Sequence, residues 1–404
     1  MLRYWKLALL VPCIVLTIGA YYAVAAVSKA QYTLTTLMGD ESAVEPVSLE
    51  ASVYADQVNI TPAGTSYRSE HPFWKNLDEA YYGSQPRLKE LIRDHRNFMR
   101  GITNLNGMVV EENRLAYAEI EFEKTVTPSQ VTTLFQLHIS IWDKGTKKKT
   151  SLVIPVDDKV DFDHINLHDV QLQGQEISLL TSYYVKADEG KPVIEFKRYI
   201  VDLDKKQLVK DRSILSRVVN GVGSLEFTLM NEIDPTQPRR HVVFQKTETH
   251  DDPSTGQRVT DNREVFVYDL ETDTLQQILT DPLAEQLKSK TDLGMSSSAE
   301  EIFFTSWAEP NAPRVMRYHL EEKKVTHDYK ISLEGLPLRA AAIDQGVISD
   351  NRIYLLLNGK RQLNEPPGVV VADLDSGKVV YEGTVTRTEN GKLDRLYVFD
   401  LEVN

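Results

Sequence analysis

A single cysteine, Cys13, stands in a chain of 404 residues. One thiol excludes disulfides within the chain, thiolate metal clusters and paired redox cysteines. The sequence also lacks a G-x-S-x-G nucleophile elbow and a glycine-rich phosphate loop after a strand. Nucleophilic hydrolysis and nucleotide binding are thus without their usual signatures. Basic charge is in deficit: 46 Lys and Arg face 59 Asp and Glu, a formal net charge of −13. That argues against a nucleic-acid partner, which needs a basic face to displace counterions. It equally disfavours adhesion of the folded part to an anionic membrane surface. The 20 glycines and 17 prolines are scattered, so the chain is neither collagen-like nor a low-complexity linker. What remains is an ordinary globular balance, 41% hydrophobic and 26% charged, at a length that fits two domains or one large repeat fold.

The clearest local signal is at the start. No charged residue occurs from Leu7 to Val27, and a helix of about 21 residues spans a bilayer core. Arg3 and Lys6 precede it, so the basic flank stays in the cytoplasm and the bulk of the chain lies outside. The expectation is a single-pass membrane protein with residues 1–6 cytoplasmic and 7–27 as the anchor. The alternative is a cleaved signal peptide, since Ala23-Val24-Ala25 has a small-x-small pattern, although the apolar stretch is long for one. Either way the bulk is extracytoplasmic. Lipidation at Cys13 is disfavoured because Pro12 precedes it and the apolar run continues beyond it. About six cytoplasmic residues cannot fold into a signalling module, so any inward signal requires a membrane partner.

Residues 28–70 read as a polar extracytoplasmic tether, within which Val47–Ile60 alternates as an exposed strand does. Residues 71–100 read as a short helical segment: Leu88, Leu91, Ile92, His95 and Phe98 follow Pro86 at near-helical spacing, with a weaker helix before them. From Gly101 to Asn404 strands dominate. A unit recurs: strand, longer loop with proline or glycine, strand ending near Asp-Leu, tight charged turn, strand. Examples are Phe196–Leu215, Glu264–Thr280 and Val369–Val385.

These units resemble β-propeller blades of the quinoprotein-like and tryptophan–aspartate types, which often close the third strand with an aspartate before a turn such as Asp375-Ser376-Gly377-Lys378. The resemblance covers 101–404. It departs from the family pattern because Gly-His and Trp-Asp signatures do not recur, Trp142-Asp143 standing alone. It implies an all-β propeller of about six blades, five or seven also fitting the spacing. Radial repetition hides sheet edges that a pair of sandwiches would leave open. The last strand, Arg395–Asn404, needs a partner, and 47–60 is the available one.

Metal chemistry is weakly signalled. Asp161, His164 and His168 fall in one short stretch, but on a strand the two imidazoles lie about 13 Å apart along one face. The stretch Thr249–Asn262 is rich in oxygen donors yet lacks the acidic spacing of a calcium loop. No catalytic residue, cofactor or metal is therefore assigned. Loop length gives the better pointer. The connection before each third strand is long and carries proline: Lys124–Thr133, Lys186–Pro192, Thr249–Arg263, Ala308–Pro313 and Gly359–Gly368. Proline lowers the entropy lost when a loop is held for recognition. Trp307, Arg258, Arg361, Pro310 and Pro366 are the candidate binding residues on that face.

The expectation is a non-enzymatic, membrane-tethered propeller that binds a protein or envelope ligand as a sensor, regulator or assembly factor, with a membrane or envelope protein as partner. The rival is an extracytoplasmic propeller enzyme such as a carbohydrate lyase or hydrolase, because the fold alone hosts both.

Overall fold

In the computed structural model, the described residues are 10, 12–20 and 29–403, except 55, 73–74, 77–85, 103–104, 127–130, 157–161, 187–191, 219–223, 231–234, 237–238, 253, 257, 279–292, 299, 308, 310–311, 337, 339–341, 359–365 and 389–395. Residues 12–20 are helical and exposed. The rest of the 7–27 stretch, apart from Leu10, lies outside the described residues. Among the described residues no helix is long and apolar enough to cross a membrane.

Strands dominate, in six antiparallel sheets that follow chain order. The first blade contains β2 (Val47–Val53), β3 (Asp56–Thr61) and β4 (Gly64–Tyr67), with β25 (Leu396–Val403) as its first strand. The second is β5 (Met108–Val110), β6 (Arg114–Val126), β7 (Val131–Asp143) and β8 (Lys148–Val156). The third is β9 (Phe162–Gln173), β10 (Glu176–Lys186), β11 (Pro192–Asp202) and β12 (Gln207–Val218). The fourth is β13 (Ser224–Leu229), β14 (His241–Asp251), β15 (Arg258–Asp269) and β16 (Thr274–Ile278). The fifth is β17 (Leu293–Ser297), β18 (Glu301–Ser306), β19 (Arg314–His319) and β20 (Lys324–Lys330). The sixth is β21 (Ala342–Ser349), β22 (Arg352–Asn358), β23 (Gly368–Asp373) and β24 (Val379–Arg387), with β1 (Tyr32–Gly39) added beside β24.

From the second blade through the sixth and on to the first, apolar faces pack against one another. Leu137 and Ile139 of the second meet Ile177 and Leu179 of the third. Phe196 of the third meets Phe244 and Phe266 of the fourth in a stack with centroids 5.1 and 5.5 Å apart. Val243 and Val265 of the fourth face Phe304 and Met316 of the fifth. The fifth packs on the sixth through Val315, Leu355 and Val370. The sixth returns to the first through Leu356, Val369, Leu49 and Val58. The array is all-β and propeller-like. Both chain ends meet in one sheet, Val47 pairing with Val403 and Val53 with Leu396. Beyond residues 12–20, the helices α1 (Pro86–Asp94) and α2 (Arg96–Met99) set Leu88, Leu91 and Phe98 against Met108 and Leu115 of the second blade.

Two expectations need correction. Residues 28–70 are not a tether, because β1 to β4 place them in the first and sixth sheets; the blade array therefore begins well before Gly101. The stretch looks polar because core residues such as Val47, Leu49 and Ala51 alternate with polar ones along the strand. The loops Lys124–Thr133 and Thr249–Arg263 are mostly strand, with Thr125 paired to Thr132 and His250 to Val259. Polar β-branched residues continue the ladder there, and composition alone reads as loop. The weaker helix expected before Pro86 falls mostly outside the described residues.

The tight turns after the third strands repeat one design. The strands of blades two to six end on Asp143, Asp202, Asp269, His319 and Asp373. Each side chain accepts a turn amide: from Thr146 at 2.6 Å, Lys205 at 2.9 Å, Thr272 at 2.9 Å, Glu322 at 3.2 Å and Ser376 at 2.8 Å. Further on, Lys147, Lys206, Asp273, Lys323 and Gly377 take left-handed backbone, with φ from 54° to 66°. In four blades the residue after the third strand is a buried leucine: Leu203, Leu270, Leu320 and Leu374. Its amide bonds to the connection between the first two strands, at Gln175, Arg240, Glu300 and Asn351. Ion pairs then tie blade to blade at this end: Lys210 and Arg212 reach Asp273, Arg240 reaches Glu321 and Arg317 reaches Asp375.

Candidate functional site

The residues expected to bind do not gather in one place among those described. Arg361 and Pro310 lie outside the described residues, as does Asp161. Trp307 follows β18 half-buried against the core between the fifth and sixth blades. Its indole lies so close over Gly346 of β21 that any side chain there would collide with the ring. Arg258 begins β15 exposed, 3.2 Å from Glu226 Oε1. Pro366 is half-buried just before β23. The two histidines of β9 have separate environments. His164 is exposed with Nε2 2.7 Å from Asn166 Oδ1, and His168 Nε2 lies 2.6 Å from Ser182 Oγ. The His168 ring stacks on Phe196 at 5.3 Å, extending the aromatic stack of the third and fourth blades. Burial pushes its pKa down to about 4, so the ring is neutral at physiological pH. Elsewhere Glu119, Glu121 and His138 hold potential ligand atoms within 4.8 Å of one another, with both carboxylates exposed.

A cavity of about 280 Å³ opens instead at the end of the short turns, between the first strands of the second and third blades. Its apolar walls include Met108, Val109 and Val110 of β5 and Val170 and Leu172 of β9, with Pro235 across from them. Asp169 and Gln171 provide the polar lining, and Glu111, Glu112 and Thr236 complete it. Pockets combining apolar walls with a few convergent polar groups are the usual form of a small-ligand site.

Two irregularities build it. The first is a bulge in β9 at His168: Leu167 faces Thr181 and Asp169 faces Leu180, so one residue has no partner of its own. Bulges re-aim side chains. Ile165 and Leu167 point to the core with the second blade before the bulge, and Val170 and Leu172 do so after it. Asp169 is thereby released from the apolar face. The second is the connection from β13 to β14, residues 230–240. It reaches past the third blade, where the Pro235 carbonyl accepts the Val110 amide at 2.7 Å. The corresponding connections in the other blades are short: 111–113, 174–175, 298–300 and 350–351.

Charge is unevenly balanced around the cavity. Asp169 is 7% exposed and accepts from Gln171 Nε2 at 2.9 Å. Burial pushes its pKa up, while the Arg239 guanidinium and the Gln171 bond pull the other way. Arg239 Nη1 stands 3.9 Å from Asp169 Oδ1, beyond hydrogen-bond distance, and is buried without a hydrogen-bond partner. Glu111 is held by Arg114 at 2.9 Å, and the same arginine donates to the Gly174 carbonyl of the third blade at 2.8 Å. Glu112 is exposed.

No family model matches the chain, and no curated protein matches it. Solved structures give low-level likenesses. An uncharacterised protein of Listeria monocytogenes is 13% identical with a TM-score of 0.29, over 65% of this chain and 64% of that one. The apocarotenoid oxygenase of Synechocystis is 9% identical with a TM-score of 0.33, over 74% and 66%. The β-propeller domain of the trilobed protease from Pyrococcus furiosus is 10% identical with a TM-score of 0.23, over 70% and 84%. The chain thus spans just under two thirds of the first two. Likeness this slight assigns no activity, ligand or partner.

Sequence reasoning passed over Asp169 because it counted as one member of a histidine-rich stretch. The available signal was the run 230–240, with Pro235 and Pro238, which separates two strands by far more than the corresponding connections of other blades.

Proposed function

We propose that this chain is a closed six-bladed propeller, held at a membrane by residues 7–27, that binds an envelope ligand outside the cytoplasm and acts as a sensor, regulator or assembly factor for a membrane partner. The observation that carries the binding reading is the cavity beside Asp169, made where both the strand alternation and the turn pattern are broken. The anchor reading is supported by the uncharged 7–27 stretch and its basic flank. Binding, rather than catalysis, is supported by how the two histidines of β9 are engaged, one on Asn166 and the other on Ser182 and Phe196.

The test is photocrosslinking in intact membranes from position 236, at the cavity, with position 148, where β8 begins beside a short turn, as control. The expected result is one discrete membrane-protein adduct from position 236 and none from 148, with full-length chain retained in the pellet after a carbonate wash. Recovery of a soluble chain beginning near Ala26 would remove the anchor. Equal adducts from both positions would remove the cavity as the binding site.

A further inference from the structure

Resting on the reading that the turn-end cavity is a binding site, we infer that its ligand presents an alkyl-ammonium or alkyl-guanidinium group to Asp169, with the alkyl portion against the apolar wall. Three features select this chemistry. The carboxylate inventory comes first: Glu111, Glu112 and Asp169 line the cavity, whereas the described cations nearby are Arg114, already committed to Glu111, Lys144, which donates to the Glu111 carbonyl at 2.6 Å, and Arg239. An anionic ligand would therefore meet repulsion from two carboxylates that no arginine holds at hydrogen-bond distance.

Asp169 itself is the second feature. It is buried, and its nearest cation stands too far away for a charge-assisted hydrogen bond. A buried charge is stabilised by a partner in hydrogen-bond contact, and a ligand cation would supply that contact. The third feature is the wall. Val110, Val170, Leu172 and Pro235 offer apolar surface, which suits a methylene chain. At about 30 Å³ of liquid volume per water, the cavity displaces on the order of nine waters, room for a short alkyl chain with one polar head.

The same head group can come from a free amine or from a lysine or arginine side chain of a partner, and the two sources are separable. Full-length protein in zwitterionic nanodiscs would be titrated with n-pentylamine, n-pentanol and pentanoate, which share size and differ in charge. Nα-acetyl-lysine methylamide would form the fourth arm. Ligand-observed saturation-transfer NMR reads affinity, and melting temperature reports folding. The amine is expected to bind at least tenfold more tightly than the alcohol or the acid. Asp169→Asn should erase that preference at an unchanged melting temperature. Thr236→Trp, which crowds the opening without touching Asp169, should weaken the amine at least fivefold and keeps the idea testable should Asp169→Asn fail to fold. A free amine as natural ligand is indicated if pentylamine exceeds the lysine derivative, and a partner side chain if the order reverses. Equal affinity for the three charge states would overturn the ligand class while leaving the cavity a binding site. Failure of every probe to bind would overturn both.

Discussion

The five third-strand turns and the region around the cavity obey opposite rules. At the turns one arrangement recurs: an acceptor at the strand end, a captured amide, then a residue with left-handed backbone. His319 does with a ring nitrogen what four aspartates do with a carboxylate, so the geometry persists although the residue type changes. Around the cavity the regular pattern is broken at one connection. The His168 bulge has counterparts at Asp344 of β21 and Phe399 of β25, but among the described blades only the fourth replaces the short turn, with the 230–240 connection. Repetition here goes with holding blades together, and interruption goes with an opening between them. The end that carries the most regular hydrogen bonding thus also carries the cavity, while the proline-bearing connections at the other end differ in length from blade to blade.

The largest expected effect probes the interrupted region. His168 has an unfolded pKa near 6.5 and a folded value of about 4. Between those values the unfolded chain takes up a proton that the folded ring refuses, so stability falls as pH falls through that window. The loss is about 3 kcal/mol by linkage. Denaturant titrations at pH 7 and pH 4 should show it, and His168→Leu should remove that component. An unchanged difference in the variant would place the acid sensitivity elsewhere.

A smaller effect tests the ion-tied turns. Burial alone would raise the pKa of Asp273, but hydrogen bonds from Lys210, Tyr268 and Arg212 hold it down to about 2. Its stabilisation is complete above the unfolded carboxylate range and is lost as pH drops toward 2. Asp273→Asn is therefore expected to cost about 2 kcal/mol at pH 7, with the cost shrinking below pH 3. Arg258→Ala at the other end, where the ion pair with Glu226 is exposed, should stay within about 0.5 kcal/mol. Equal losses in chevron-derived stabilities would erase the contrast between the two ends.

The smallest effects sharpen the turn rule itself. Left-handed backbone costs an L-residue about 1 kcal/mol, which glycine avoids. Lys206→Gly should then raise stability by up to about 1 kcal/mol, while Gly377→Ala should lower it by a similar amount or more. A Cβ at Gly377 would also press on the Tyr329 ring. If both changes are neutral by differential scanning calorimetry, the recurring φ has no energetic weight.

Much of this was legible from residues alone. Alternation marked most strands, and the Asp-Leu steps marked the turns, because both are local consequences of pleat geometry and of one side chain reaching a nearby amide. The expected pairing of the 47–60 strand with the 395–404 strand is present, Val47 facing Val403 and Val53 facing Leu396. Legibility failed where polarity misled, as at 28–70 and at the threonine-rich hairpin ends, because a strand buried on one face is half polar. It failed too at Trp307, whose place above Gly346 depends on a neighbouring blade.

Strand content, turn chemistry, the acidic balance and the lack of a second thiol follow from the sequence, all properties set within a few residues or by composition. Tertiary structure alone decided that Asp169 lines a cavity, that Arg239 stops 3.9 Å short of it, and that Pro235 bonds to a strand two blades away. The reason is physical. A one-residue bulge reverses every side chain that follows it on a strand, and a long connection is placed by the surface it lands on rather than by its own residues.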